Sequence, residues 1–261
     1  MSNDAPRRPG EGRRLTKAER KEQARREREE LQRKLASKRR ARTIGIAAGG
    51  AVIAAVVVAA TLLPSGGDFP EPAQLLQRAS AAATEAGCGE VATTPDYDPA
   101  DNDRSHIDPT AGPPLSTYPT TPPASGPHGD VPLPAGVYDS LALEEVIRAI
   151  HSLEHGATIV WYDPTAPVGK VARLREFYDR RLQDAQVGQD RVIVAPYDIP
   201  GDAAGILPEG TEMGLVSWHR LRSCVSIDLA VAFDFTSQYS FPTAEDREYA
   251  GVAPEPGASL G

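Results

Sequence analysis

The chain has 261 residues, a formal net charge of −8 and 40% hydrophobic residues, and its charge is divided very unevenly. Residues 1–43 contain 16 Lys and Arg against 7 Asp and Glu, whereas the residues after position 63 contain 12 against 29. This division points to two different environments for the two parts of the chain. The sequence also has no internal repeat of the kind that predicts a solenoid.

Residues 1–43 form a basic segment with a net charge of +9 (16 − 7), and "TKAE" at Thr16 to Glu19 is a capping-box sequence that predicts a helix start. Acidic and basic residues recur at helical spacing up to Arg42, which predicts a solvated helix that sets membrane topology. Contact with anionic lipid headgroups is the functional alternative. We expect no nucleic acid partner, because the segment lacks Phe, Tyr and Trp for base stacking.

Residues 44–63, "IGIAAGGAVIAAVVVAATLL", contain no charged residue and predict a transmembrane helix. A helix of this length spans roughly 30 Å, the thickness of a bilayer core. A cleaved signal peptide would have a shorter apolar run and a small-residue cleavage site after it. Because the basic residues precede the span, the positive-inside rule places the N-terminus in the cytoplasm and residues 64–261 outside it. We therefore expect a single-pass protein of the cell membrane.

The chain has two cysteines, Cys88 and Cys224, and both belong to the part that is predicted to lie outside the cytoplasm. In an oxidising compartment such a pair favours a disulfide, which would close a loop of 137 residues (224 − 88 + 1). Two buried free thiols are the alternative.

Residues 64–88 predict a juxtamembrane helix, since "EPAQLLQRASAAATEAG" has a weak apolar face and ends at Gly87. From residue 89 to residue 136 the chain is rich in Pro, Asp, Thr and Gly and shows neither helical nor strand periodicity. We expect a long Pro-rich loop there, which in a compact domain is uncommon unless it is functional or disordered. This loop contains His106 and His128.

The remaining sequence predicts one extracytoplasmic α+β domain, covering residues 89–249 and built from a small mixed sheet of three or four strands with packed helices. Helical periodicity occurs in "LALEEVIRAIHSLEHG" and "VGKVARLREFYDRRLQ", and strand-like segments are "ATIVWYD", "RVIVAPY" and "MGLVSWHRL". "VSIDLAVAFDF" alternates as a strand does, although its alanines also permit a helix. Residues 250–261 are rich in Gly and Pro and predict a flexible tail.

The five histidines, at positions 106, 128, 151, 155 and 219, all follow the predicted span. His151 and His155 lie four residues apart on one predicted helix, so both imidazoles can reach one ion. With His106 and His128 from the loop they form a candidate site for a divalent metal ion, Zn²⁺ or Cu²⁺, with Glu154 as a ligand or as a partner of the ligands. The alternative is structural, because histidines in a last helical turn interact favourably with the helix dipole and bond free carbonyls.

The sequence "HSLEH", residues 151–155, also matches the H-x-x-E-H pattern of inverted zinc peptidases, in which the glutamate is the general base. This match makes Glu154 a candidate catalytic residue of a zinc-dependent hydrolase. No distinct glutamate motif follows that would supply the remaining metal ligand. The segment "ASGPHG" contains a serine and a histidine but no G-x-S-x-G nucleophile elbow, and the sequence contains no P-loop or dinucleotide-binding motif.

Several short motifs follow the predicted span in a specific order, namely Gly87-Cys88, "HI", "PPASGPH", "GVY" and "HSLEHG" with "VWY" after it. Over about residues 87 to 222 the chain thereby resembles the bacterial domain of unknown function 3105 family. The resemblance implies a membrane-anchored envelope protein without an assigned activity. His219 stands where the family pattern has a glycine. The family's motifs correspond here to His106, Ser125, Gly126, Pro127, His128, His151, Leu153, Glu154, His155 and Gly156.

The sequence supports three hypotheses for the extracytoplasmic domain, and the lipid bilayer is a partner in all of them. The first is metal binding by the histidines. The second is a non-catalytic domain that packs the histidines structurally and docks an unknown envelope partner. The third is a zinc-dependent hydrolase.

Overall fold

The computed structural model describes residues 69–184, 191–241 and 253–260, which form a mixed sheet with helices on it and confirm the α+β class. The helices are α1 (Pro72–Glu85), α2 (Leu143–Glu154), α3 (Val168–Asp184) and α4 (Leu229–Tyr239). The strands are β1 (Ala92–Thr93), β2 (His106–Ile107), β3 (His128–Gly129), β4 (Gly136–Val137), β5 (Thr158–Tyr162), β6 (Val192–Pro196), β7 (Met213–Ser217) and β8 (Arg220–Cys224).

The predicted transmembrane span at residues 44–63 and the basic segment at residues 1–43 lie outside the described residues. Within the part of the chain that the structure describes, every helix is too short or too polar to cross a bilayer.

The main sheet has the order β1-β8-β7-β5-β6-β4 in the described residues, which makes six strands instead of the three or four predicted. Strands β5, β6 and β4 are parallel, whereas β7, β8 and β1 continue the sheet in antiparallel fashion. The edge strands β1 and β4 are two residues long, too short to show a period in the sequence. The segment "MGLVSWHRL", predicted as one strand, instead contains β7, a turn with His219 at φ 54° and the start of β8.

The segment that the sequence left open between strand and helix contains the start of helix α4. Asp228 ends the preceding extended chain, and its carboxylate accepts hydrogen bonds from the backbone N–H groups of Ala230 and Val231, as an N-cap does. The helix is buried on most sides, so it lacks the single apolar stripe by which an amphipathic helix is recognised.

The sheet is covered on both faces, because successive side chains of a strand point to opposite sides. Val160 belongs to the core beneath α1, α3 and α4. Its neighbours Ile159 and Trp161 belong to a second core, which contains α2 and the buried part of the Pro-rich loop. Helix α2 and the loop therefore share one face of the sheet.

The predicted Pro-rich loop is packed and carries its own short elements, β1, β2 and β3, with two 3₁₀ turns at Pro109–Ala111 and Leu115–Thr117. Asp103 organises its first half. This carboxylate is fully buried and accepts hydrogen bonds from the backbone N–H groups of Tyr97 and Asp98 and from Ser125 Oγ. The bond to Ser125 joins the part of the loop that precedes His106 to the part that precedes His128.

Cys88 and Cys224 form a disulfide, as the sequence predicted. Cys88 follows α1, which ends where Gly87 adopts a φ of 62°, and Cys224 is the last residue of β8. The disulfide therefore ties α1 to the main sheet.

Candidate metal centre

Helix α2 places two candidate ligands at its C-terminal end. Glu145 accepts a hydrogen bond from the backbone N–H of Ala142 at the start of the helix, and acidic residues in a first turn also favour the helix dipole. His151 and Glu154 are three residues apart, so their side chains lie on the same face. Gly156 follows with a φ of 86°, and a Cβ there would lie 2.8 Å from the carbonyl oxygen of Phe241. The helix therefore ends immediately after the two candidate ligands, at a position that accepts only glycine.

Two short strands bring the loop histidines together. In the parallel β2–β3 pair His106 lies directly opposite His128, and the backbone N–H of His128 donates to the carbonyl of Ser105 at 3.1 Å. Gly126, two residues before His128, has a φ of 116° and packs so tightly that a Cβ would lie 2.9 Å from the Tyr118 ring. Sequence spacing alone does not show this pairing, since 22 residues separate the two histidines (128 − 106).

His106, His128, His151 and Glu154 form one group, which we call the His/Glu cluster. One ligand atom from each of these residues lies within 4.8 Å of all the others, and the group could hold a metal ion. Glu154 Oε2 lies 3.1 Å from His128 Nε2, 3.7 Å from His151 Nε2 and 3.9 Å from His106 Nε2. The side chain of His106 is 51% exposed and the other three are buried, so the cluster reaches solvent at His106.

Backbone carbonyls orient the buried imidazoles. His128 Nδ1 lies 2.7 Å from the carbonyl oxygen of Gly126, and His151 Nδ1 lies 2.6 Å from that of Gly129. A carbonyl only accepts hydrogen bonds, so both Nδ1 atoms are the protonated ones and both Nε2 atoms face the cluster. This arrangement, with the outer nitrogen bound to a carbonyl, is typical of metal-ligating histidines.

Residues 115–253 match the family described as protein of unknown function (DUF3105). The chain belongs to this family. The matched region includes His128, His151 and Glu154 of the cluster and starts after His106. No curated protein and no solved structure matches the chain significantly.

His155 of this DUF3105 chain lies beside the cluster and not within it. Its Nε2 atom is 3.0 Å from His151 Nε2, and its Nδ1 atom is 2.7 Å from the carbonyl oxygen of Ser259. The sequence grouped His155 with the other three histidines, whereas in the structure Glu154 occupies the fourth position of the group.

Arg104 is a site residue that the sequence did not indicate. Its Nε donates to Glu154 Oε1 at 2.5 Å, which leaves Glu154 Oε2 directed at the histidines. Its guanidinium also pairs with Glu255. An arginine in a polar loop has no periodicity that marks it, so only the tertiary contact identifies it.

Two residues of the cluster, Glu154 and His151, have the protonation states that metal binding needs. Burial acts to raise the pKa of Glu154, but its close contacts with His128 and Arg104 outweigh this effect, and the pKa falls to about 2. Burial, with the neighbouring imidazoles of His128 and His155, lowers the pKa of His151 to about 4. At neutral pH Glu154 is therefore a carboxylate and His151 a neutral imidazole, which are the forms that bind metals.

Residues 253–260, which belong to the predicted flexible tail, pack against the end of α2. The backbone N–H of Glu255 donates to the carbonyl of Glu154 at 3.0 Å, and that of Gly257 donates to the carbonyl of Phe241 at 3.1 Å. Arg191 binds the carbonyl of Ala258 in the same segment. The tail thus covers the side of the site where His155 lies.

His219 lies apart from the His/Glu cluster. Its Nε2 atom is 3.6 Å from Asp103 Oδ2 and 3.7 Å from Asp96 Oδ1. These three residues form a second, smaller group, in which Asp103 already accepts three hydrogen bonds from the loop.

Proposed function

We propose that this DUF3105 protein binds a divalent transition metal ion, Zn²⁺ or Cu²⁺, through the His/Glu cluster, in an extracytoplasmic domain that a single span at residues 44–63 anchors to the cell membrane. Three imidazole nitrogens and one carboxylate oxygen are a donor set that suits either ion. The observation that carries the proposal is the convergence of the Nε2 atoms of His128 and His151 on Glu154 while their Nδ1 atoms are bonded to carbonyls.

The surroundings of the imidazole Nε2 atoms support a metal ion at this position. In a neutral imidazole whose Nδ1 carries the proton, Nε2 has a free lone pair. His128 Nε2 lies 3.1 Å from the Glu154 carboxylate, so the two atoms need a proton or a cation between them. The Nε2 atoms of His151 and His155 are 3.0 Å apart, so these two lone pairs also need a proton or a cation between them. Protons would place positive charges on neighbouring buried rings, whereas one metal ion satisfies several of these atoms together.

The geometry favours Glu154 as a ligand over Glu154 as the general base of a hydrolase. In the H-x-x-E-H arrangement both histidines bind the metal and the glutamate activates a water molecule. Here Glu154 Oε2 is among the converging ligand atoms, Glu154 Oε1 is bonded to Arg104, and His155 lies outside the group. We therefore propose a metal-binding role for the cluster without hydrolysis.

Metal content and metal affinity test the proposal. The full-length chain, purified in detergent without added chelator, should contain stoichiometric transition metal by elemental analysis, and after stripping should rebind Zn²⁺ or Cu²⁺ in a titration. Glu154→Gln removes the charge and keeps the shape, and it should lower the affinity by at least roughly tenfold. Glu144→Gln is the matched control, because Glu144 is an exposed residue of the same helix. Equal affinities of the two variants would refute the cluster as the site.

A further inference from the structure

A cavity of about 200 Å³ opens on the face of the sheet opposite to the His/Glu cluster, between α1, the start of α3 and the start of α4. Its apolar lining includes Leu75, Leu174 and Ile227. Three cationic side chains, those of Arg78, Lys170 and Arg173, also line it. We call this site the basic cavity.

The cations of the basic cavity outnumber its acids. Asp228 is the one carboxylate in the lining. It already has partners, because it accepts hydrogen bonds from the backbone N–H groups at the start of α4 and pairs with Arg78 at 3.2 Å. Lys170 donates to Ser226 Oγ, and Arg173 stacks over the Phe69 ring at 5.3 Å. Within residues 69–184, 191–241 and 253–260, neither Lys170 nor Arg173 pairs with a carboxylate. The lining therefore has a net charge of +2 (three cations and one acid).

An exposed aliphatic residue and an aromatic residue lie close in sequence to the residues that line the cavity. Val168, two residues before Lys170 in α3, is 80% exposed. Phe69, which precedes the lining residue Pro70 in the chain, also lies under the guanidinium of Arg180. A cavity lined by both cationic and apolar side chains matches an amphiphile that has an anionic headgroup.

The first lining residue of the cavity follows shortly after the proposed span in the chain. Phe69 is six residues beyond Leu63, the last residue of the predicted span. At about 3.3–3.6 Å per residue the connection reaches at most roughly 20 Å. Pro70, the next residue after Phe69, lines the cavity, so only a short stretch of chain joins the proposed span to the cavity lining.

We propose that the basic cavity binds a phosphate group, and that an anionic phospholipid of the surrounding bilayer supplies it. Arg78, Lys170 and Arg173 would pair with the phosphate oxygens, and the apolar lining would receive the first part of an acyl or glycerol chain. The phosphate chemistry depends on the cavity alone, whereas the lipid as its source rests on the proposed anchor.

The test uses the full-length chain in detergent and counts bound phosphatidylglycerol by native mass spectrometry. Phosphatidylcholine, whose phosphate is balanced by a cationic group, is the zwitterionic comparison lipid. Lys170→Gln/Arg173→Gln should weaken phosphatidylglycerol binding roughly 30-fold, given the usual contribution of two basic residues at a membrane surface. Arg220→Gln/Arg222→Gln is the control, because it removes the same charge from β8 and leaves both the basic segment and the cavity intact. Thermal unfolding of both variants checks that they are folded.

Each outcome decides between explanations. Selective loss of phosphatidylglycerol in the cavity variant supports the proposal. Equal loss in both variants, or loss in neither, would overturn it. If soluble glycerol phosphate binds the wild type as tightly as the lipid does and is lost in the cavity variant, the phosphate site stands and the lipid source is wrong. Metal content should be unchanged in both variants, so a failure here is distinguishable from a failure of the metal site.

Discussion

His151 Nε2 and His155 Nε2 lie 3.0 Å apart, each on an imidazole whose Nδ1 is held by a backbone carbonyl, of Gly129 and of Ser259. Two ligands of one ion at metal–nitrogen distances of about 2.0–2.1 Å are separated by roughly 2.9–3.4 Å when the angle between the bonds is 90–110°. The two rings are therefore spaced as neighbouring ligands, although His155 is not part of the group whose ligand atoms all lie within 4.8 Å of one another.

Substitution of the two helix histidines separates their roles. His151→Gln should abolish stoichiometric metal binding, because His151 faces every other ligand. His155→Gln should retain the metal with an affinity reduced by less than roughly tenfold, as expected for a residue beside the coordination group. Zinc titration of the stripped protein measures both. A greater loss in His155→Gln would show that the ion lies between His151 and His155.

Arg104 should act on the metal through Glu154. Arg104→Gln removes the partner of Glu154 Oε1, so the carboxylate loses its fixed orientation, and metal affinity should fall roughly 10–100-fold. The pKa of Glu154 should rise at the same time, since the Arg104 bond helps to lower it. NMR titration of the metal-free Glu154 carboxyl detects this rise, which a purely local packing defect would not produce.

Acidification should destabilise the metal-free protein. The pKa of His151 is about 4 in the folded chain against an ordinary value of 6.5, so the unfolded chain binds the extra proton between these values. The contribution is present above pH 6.5 and is lost as the pH falls to about 4, and it amounts to about 3 kcal/mol. Glu154, with a folded pKa of about 2 against 4.5, extends the loss to lower pH with the same sign. Denaturant unfolding at several pH values should show this decline in the wild type and a smaller one in His151→Gln.

Loss of the disulfide should destabilise the domain through the unfolded state. The Cys88–Cys224 bond closes a sequence separation of 136 residues, and Cys88→Ala/Cys224→Ala should lower the free energy of unfolding by up to about 4–5 kcal/mol. Reduction of the wild type should reproduce the effect, and the double variant should not respond to reductant. Freely alkylated thiols in protein taken from native membranes would contradict the predicted oxidising location.

The topology of the chain can be tested with reporter fusions. The uncharged residues 44–63 and the basic segment before them predict that a reporter fused after Gly66 is active only if it functions outside the cytoplasm. Exchange of Lys38, Arg39, Arg40 and Arg42 for glutamine should weaken this orientation, because these residues carry the positive charge next to the span. A cytoplasmic reporter that is active after Gly66 in the wild type would reverse the assignment.

Much of the architecture could be predicted from the sequence because it depends on local patterns. Helix α2 has a buried apolar face at helical spacing, and β5 and β6 are short apolar segments of mostly β-branched residues. These patterns indicate the α+β class and place His151, Glu154 and His155 on one helix end. The disulfide was also predictable, since two cysteines on one predicted side allow a single pairing.

The choice of ligands depended on tertiary structure. His106 and His128 meet through a two-residue strand pair, which is too short to leave a period in the sequence. Whether Glu154 or His155 joins them depends on where α2 ends, and α2 ends where Gly156 adopts a φ of 86° close to the Phe241 carbonyl. Arg104 reaches Glu154 across a sequence separation of 50 residues. Local sequence thus determined which side chains were available, and long-range packing decided which of them converge, because a metal site requires positions accurate to a few tenths of an ångström.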